Sequence, residues 1–126
     1  MAKQAIHTHD APQPIGIYSQ AVRAGNALYL SGQIGLDPRT MQLVDGIDAQ
    51  IHQVFLNLRA VAAAAGASLD DAVKFTVFLA DMTDFPRVNE IMAGYVSQPY
   101  AARSAVAAAG LPRGALVEIE AILVTG

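Results

Sequence analysis

Cysteine and tryptophan are both absent from the 126 residues, so the chain has no disulfide framework, no thiol nucleophile and no thiolate metal site. Charge is also sparse. Charged residues make up 15% of the chain, the only lysines are Lys3 and Lys74, and scattered arginines leave a net charge of −3. A nucleic-acid interface needs a basic stripe, and this distribution forms none. No apolar run approaches the roughly 20 residues of a membrane span, and Ala2-Lys3-Gln4-Ala5-Ile6-His7 contains no apolar signal core. A soluble cytoplasmic protein is therefore expected. HExxH, GxSxG, GxGxxG and phosphate-loop patterns are missing too, which removes the common zinc-protease, hydrolase, dinucleotide and nucleotide signatures. His7-Thr8-His9-Asp10 is the one metal-like group. Two solvated histidines near a terminus account for it, and no metal is expected.

Apolar residues are what the chain has in quantity. At 53% hydrophobic over 126 residues it reads as a single domain, residues 1–126, with more apolar surface than one small core consumes. Some of that surface should meet another subunit. Strand-like runs over residues 19–24 and 27–34 flank Gly25-Asn26, a pair suited to the positive φ values of a two-residue hairpin loop. Turn signals at Asp37-Pro38-Arg39-Thr40 and Asp45-Gly46 follow, and Asp48 is placed to cap a helix. In that helix Ile51, Val54, Phe55, Leu58, Val61, Ala62 and Ala65 recur at helical steps, and Gly66 supplies a left-handed stop.

Residues 72–82 alternate as a strand, with Val73, Phe75, Val77 and Leu79 on one face. Asp84 then caps a second helix with Pro86 in its first turn, an apolar stripe of Phe85, Val88, Ile91, Met92 and Tyr95, and Gln98-Pro99 as its end. Strands over residues 102–109 and 115–125 close the chain, joined by a Gly110–Gly114 loop. The order is ββαβαββ, an α+β fold in which two helices cover one face of a mixed sheet. Because the last strand is apolar on both faces, the second sheet face needs a cover, and a closed oligomer provides one.

Arg103 and Glu120 are the chemical anomalies, each set in a strand of small or apolar residues. Charged side chains are rarely buried without a partner, so a buried Arg103–Glu120 ion pair that only fixes an interface is one reading, and a ligand site is the other. Ser31-Gly32-Gln33-Ile34 ends a strand with a glycine that permits close backbone approach. Tyr18 and Asn89, taken alone, read as structural residues.

These segments resemble the RidA/YjgF family in order and context across nearly the whole chain. The resemblance rests on Ala11-Pro12, Ile15-Gly16, Tyr18-Ser19-Gln20, Leu30-Ser31-Gly32-Gln33-Ile34, Gln53 through Asn57-Leu58 and Ala65-Gly66-Ala67-Ser68-Leu69-Asp70-Asp71. It continues through Val73-Lys74-Phe75-Thr76-Val77-Phe78-Leu79, Asp84-Phe85, Val88-Asn89, Ala102-Arg103-Ser104, Leu111-Pro112 and Val117-Glu118-Ile119-Glu120-Ala121. It implies a chorismate-mutase-like homotrimer with a central barrel and clefts between subunits. The implied activity is cofactor-independent hydrolysis of 2-imino or enamine acids, such as 2-aminoacrylate, 2-iminobutanoate and 2-iminopropanoate, to 2-keto acids and ammonia. Arg103 would bind the substrate carboxylate and Glu120 would handle water and protons. Tyr18, Ser31, Gly32 and Asn89 would line the cleft, with the backbone N–H of Ala105 also facing the carboxylate. Three departures stand out: Ile17 replaces a common proline, Ala105 a common cysteine, and Tyr100-Ala101 a common Phe-Pro, while the loop from Asn89 to Arg103 is shorter by a few residues.

Alternative functions are a pathway-specific deaminase of a larger enamine acid such as 2-aminomuconate and a non-catalytic trimer that binds small carboxylates and regulates a partner. RNA cleavage, sometimes assigned to relatives, ranks last at this net charge.

Overall fold

A computed structural model describes residues 2–126. Three strands open the chain, β1 (Gln4–Ile6), β2 (Ala21–Ala24) and β3 (Ala27–Ile34), and α1 (Ile47–Ala64) follows. Then come β4 (Ala72–Leu79), α2 (Phe85–Met92), β5 (Ala102–Ala107) and β6 (Val117–Val124). They build one six-stranded mixed sheet in the order β1-β2-β3-β6-β4-β5. Only β4 and β5 pair in parallel, and α2 connects them.

The expected α+β pattern is present, with one strand more than expected. β1 is three residues long and pairs with β2 through Ala5 opposite Val22, so it is too short to show a period and its stretch instead drew notice for its histidines. His7 and His9 pack edge to face at 5.0 Å, and His7 Nε2 lies 2.6 Å from Gln13 Oε1. Among the described residues no group of His, Cys, Asp or Glu is arranged to hold a metal. No helix of these residues is long and apolar enough to cross a membrane.

Several boundaries differ for identifiable reasons. In the β2–β3 hairpin only Gly25 has a positive φ, 59°, so the loop needs one left-handed residue and not the expected two. Gly46, not Asp48, is the N-cap of α1; Asp48 lies in the first turn, where Arg87 Nη2 donates to its Oδ2 at 2.8 Å. Gly66 stops α1 with a φ of 75°, as expected. Asp84 precedes α2 but gives no capping hydrogen bond; Asp81, one turn earlier, accepts from Thr83 N–H at 2.9 Å. That helix ends at Met92 and not at Gln98, because the chain turns through residues 93–95. A register shift between Ala72 and Lys74 leaves Val73 exposed, so it drops out of the buried row.

Period-2 burial divides the sheet. Leu28 and Leu30 of β3, Phe75, Val77 and Leu79 of β4, and Val117, Ile119, Ala121 and Leu123 of β6 are buried with Val54, Phe55, Leu58, Val88 and Ile91 of the helices in one core. Among the described residues the other face has no helix. Tyr29 remains 50% exposed, Val106 46% and Val124 44%, and Phe78 and Ile122 are half-buried beside them. A sheet face with this apolar content and no cover is the surface the sequence pattern singled out.

Candidate active site

Strand register decides where the two anomalous charges point. Phe75 lies opposite Arg103, and Thr76 lies opposite Glu120. Residues directly opposite share a face and successive residues do not, so Arg103 leaves the sheet on the helix side with Phe75, while Glu120 leaves on the uncovered side with Thr76. A buried Arg103–Glu120 ion pair is thereby excluded within one chain: both residues are exposed, and neither joins a salt bridge among the described residues. The other expected residues sort with one or the other.

Arg103 projects from β5, the edge strand, toward α2. Its Nη1 donates to Asn89 Oδ1 at 2.5 Å, and its guanidinium carbon sits 4.9 Å from the centre of the Phe85 ring. Met92 Sδ lies 3.7 Å from the same Nη1. One corner of the guanidinium is thus held by α2. Its Nη2 and Nε make no hydrogen bond among the described residues, which leaves two parallel donors for a carboxylate. Beside it opens a cavity of about 420 Å³ lined by Phe75, Asn89, Met92, Val96, Tyr100 and Ala101. The Tyr100-Ala101 substitution therefore lies on the wall next to Arg103. Ala105 shares the Arg103 side of β5 and packs against the core, but lines neither cavity.

Tyr18, Ser31, Gly32 and Glu120 come together in a second cavity, of about 410 Å³, with Gln13, Ile34 and Glu118. A bulge between Leu30 and Gln33 bends β3 here. Ser31 donates its hydroxyl to Ser19 O at 2.6 Å, so it secures the preceding loop and retains only acceptor capacity toward a ligand. Ile15 N–H donates to the Tyr18 hydroxyl at 3.3 Å, leaving the phenol proton available.

Glu118 is the residue here to which the sequence reading assigned no role; it shares a face of β6 with Glu120. Burial first, and the neighbouring Glu120 charge second, hold the Glu118 carboxyl above the ordinary glutamate value. The expected site residues thus fall into two groups on opposite faces of the sheet: Arg103 and Asn89 at one cavity, and Tyr18, Ser31, Gly32 and Glu120, joined by Glu118, at the other.

Comparison with known proteins is consistent over the whole chain. Residues 8–125 match the family model described as Endoribonuclease L-PSP. A protein of Dermatophagoides farinae named 2-iminobutanoate/2-iminopropanoate deaminase is 49% identical over 97% of this chain and 96% of its own length. A RutC family protein of Pyrococcus horikoshii is 50% identical over 95% of this chain and 96% of its own. The crystal structure of RidA from an Antarctic Psychrobacter superimposes with a TM-score of 0.95 at 52% identity, covering 97% of this chain and 99% of that one.

Proposed function

Because the chain belongs to the RidA/YjgF family, whose model carries the description Endoribonuclease L-PSP, we propose that it hydrolyses 2-imino and enamine acids to 2-keto acids and ammonia. The observation that carries this reading is the paired half-sites: an arginine fork anchored for a carboxylate, and a cavity with acid–base groups for water. Neither half suffices alone. On this reading the protein is a homotrimer, its uncovered sheet faces meet as an internal barrel, and the Arg103 half of one subunit abuts the Glu120 half of its neighbour.

In such a cleft Asn89 holds Arg103, and the guanidinium binds the planar carboxylate through two parallel N–H groups. The adjacent imine carbon then lies at a fixed position, which turns attack by water into an effectively intramolecular event. Glu120 takes a proton from that water as the C–O bond forms. A protonated imine is already electrophilic, so the chemistry calls for no cofactor. Phe75, Met92, Val96 and Tyr100 would enclose the substrate side chain, and the broad apolar wall fits side chains larger than the methylene of 2-aminoacrylate. A pathway-specific deaminase of a larger enamine acid shares this chemistry. RNA cleavage is the weaker reading, because a net charge of −3 supplies little phosphate attraction.

The test is to generate 2-iminobutanoate in situ with a threonine dehydratase and follow its decay against the spontaneous rate. Wild-type protein should accelerate decay, and Arg103→Ala and Glu120→Gln should not. Absence of acceleration, or full activity in Arg103→Ala, would remove the proposal for this substrate.

A further inference from the structure

The cavity beside Arg103 has the loop from Met92 to Arg103 as its outer wall, and that loop is fixed from outside the cavity. Tyr95 stacks on Phe55 of α1 with ring centres 5.1 Å apart, and its hydroxyl lies 2.7 Å from His52 Nδ1. The Arg59 guanidinium carbon sits 5.5 Å from the same ring. Just beyond, Ser97 N–H donates to Asp70 Oδ1 at 3.0 Å, in the turn before β4. Val96 stands between these two anchors and lines the cavity, so the wall is held in place whether or not a ligand is bound. An opening of about 420 Å³ is therefore preformed, within the roughly 300–1,000 Å³ of small-molecule sites.

Two small residues keep it open. Ala93 and Ala101 present only methyl groups to the space, and Ala101 is one of this chain's departures from the family pattern. Charge is confined to the mouth. Among the described residues Arg103 is the one cation on the cavity wall, and Asn89 already holds one of its nitrogens, so a group that runs past the guanidinium meets no second counter-charge. A carboxylate placed there would lose water without gaining a partner, whereas each methylene moved there from water gains about fourfold in affinity.

Resting on the deaminase reading, we infer that this cavity is the side-chain subsite, that it selects 2-imino acids with branched aliphatic or aromatic side chains, and that Ala93 and Ala101 set the selection. With its carboxylate on the Nη2 and Nε donors of Arg103, such a substrate points its side chain into the cavity and its imine carbon toward the Glu120 half of the neighbouring subunit. The smallest imines leave the space unfilled. Dicarboxylic substrates, 2-aminomuconate among them, bring a second charge that the wall does not pair.

The test compares three imines generated in situ: 2-iminobutanoate from threonine with a dehydratase, and the 2-imino acids of leucine and glutamate from the corresponding L-amino acid oxidases with catalase. Wild-type kcat/KM should be about tenfold higher for the leucine-derived imine than for 2-iminobutanoate, from its additional buried carbons. The glutamate-derived imine should fall at least tenfold below both. Ala93→Leu and Ala101→Leu each fill the cavity from a different segment, and each should bring the leucine-to-butanoate ratio down to about one. Ala93 is exposed and Ala101 half-buried, so both variants should show the wild-type fold by circular dichroism. The inference is overturned if wild type turns over 2-iminobutanoate without preferring the leucine-derived imine, if it accepts the glutamate-derived imine equally well, or if both filled variants keep the wild-type ratio. If wild type accelerates the decay of no imine, the deaminase reading fails and this inference with it.

Discussion

Replacing Asn57 with alanine should destabilise the fold and blur the Glu120 cavity together. Asn57 lies on α1 with 1% of its surface exposed, and its Nδ2 donates to Ile34 O at 3.3 Å and to Leu36 O at 2.9 Å. These carbonyls flank Gly35, where the chain leaves β3, and Ile34 and Leu36 line the Glu120 cavity. Alanine strands the Leu36 carbonyl, leaves the Ile34 carbonyl only the Leu36 N–H that donates to it at 2.8 Å, and opens a small void. At about 1 kcal/mol for each lost bond, more where desolvation goes uncompensated, the loss comes to roughly 2–4 kcal/mol. For a domain of this length that lowers Tm by roughly 10 °C. Gln53, which donates to Asn57 Oδ1 at 2.9 Å, is half-exposed and can turn to water, so it adds little. Urea unfolding gives the free energy, and KM for the imine reports the cavity. A variant within about 0.5 kcal/mol of wild type would refute this assignment of buried hydrogen bonds.

Gly35→Ala should cost about 1–3 kcal/mol in the same unfolding assay, because its Cβ would stand 2.9 Å from the Cα of Gln50, a backbone atom that cannot swing aside. Asn89→Ala should raise KM roughly tenfold with little change in Tm, since it frees Arg103 without opening the core, and Asn89→Asp should raise it further by setting a carboxylate against the substrate's own. Glu118 makes folding pH-dependent. Its folded value lies above the ordinary 4.5, so its penalty is absent at lower pH, grows as pH rises from 4.5 to the raised folded value, and stays full above it. Glu118→Gln should therefore be more thermostable than wild type near pH 8 and indistinguishable from it near pH 4, as melting curves would report. If the proposed trimer forms through the uncovered face, Ile122→Arg should give a folded monomer without deaminase activity, read by light scattering and circular dichroism.

The elements with a strong period were legible from residues alone. α1 and the core rows of β3, β4 and β6 follow it, because burial on one side is what the period encodes. Caps and ends were less legible. Gly46 displaced Asp48 because Asp48 has Arg87 of α2 to pair with, a partner 39 residues away that local sequence does not reveal. β1 has too few residues to carry a pattern. Tyr18, Ser31, Gly32 and Glu120 share one cavity, yet Arg103 and Glu120 were first weighed as a direct pair. Their separation depends on the register that sets Phe75 opposite one and Thr76 opposite the other, a relation between three strands. Glu118 was visible in the alternation, but the space its side chain occupies exists only because Gly32 carries no Cβ, which would stand 2.8 Å from Glu118 Oε2.

The shared site is tested most directly by complementation. Arg103→Ala and Glu120→Gln are each inactive on their own in this scheme, and each carries the half-site that the other lacks. Unfolded together in equal amounts and refolded as mixed trimers, they should restore activity at about a quarter of the wild-type sites, the share in which an intact Arg103 half meets an intact Glu120 half. Mixed trimers that remain inactive on 2-iminobutanoate, while refolded wild type is active, would contradict a site built from two subunits.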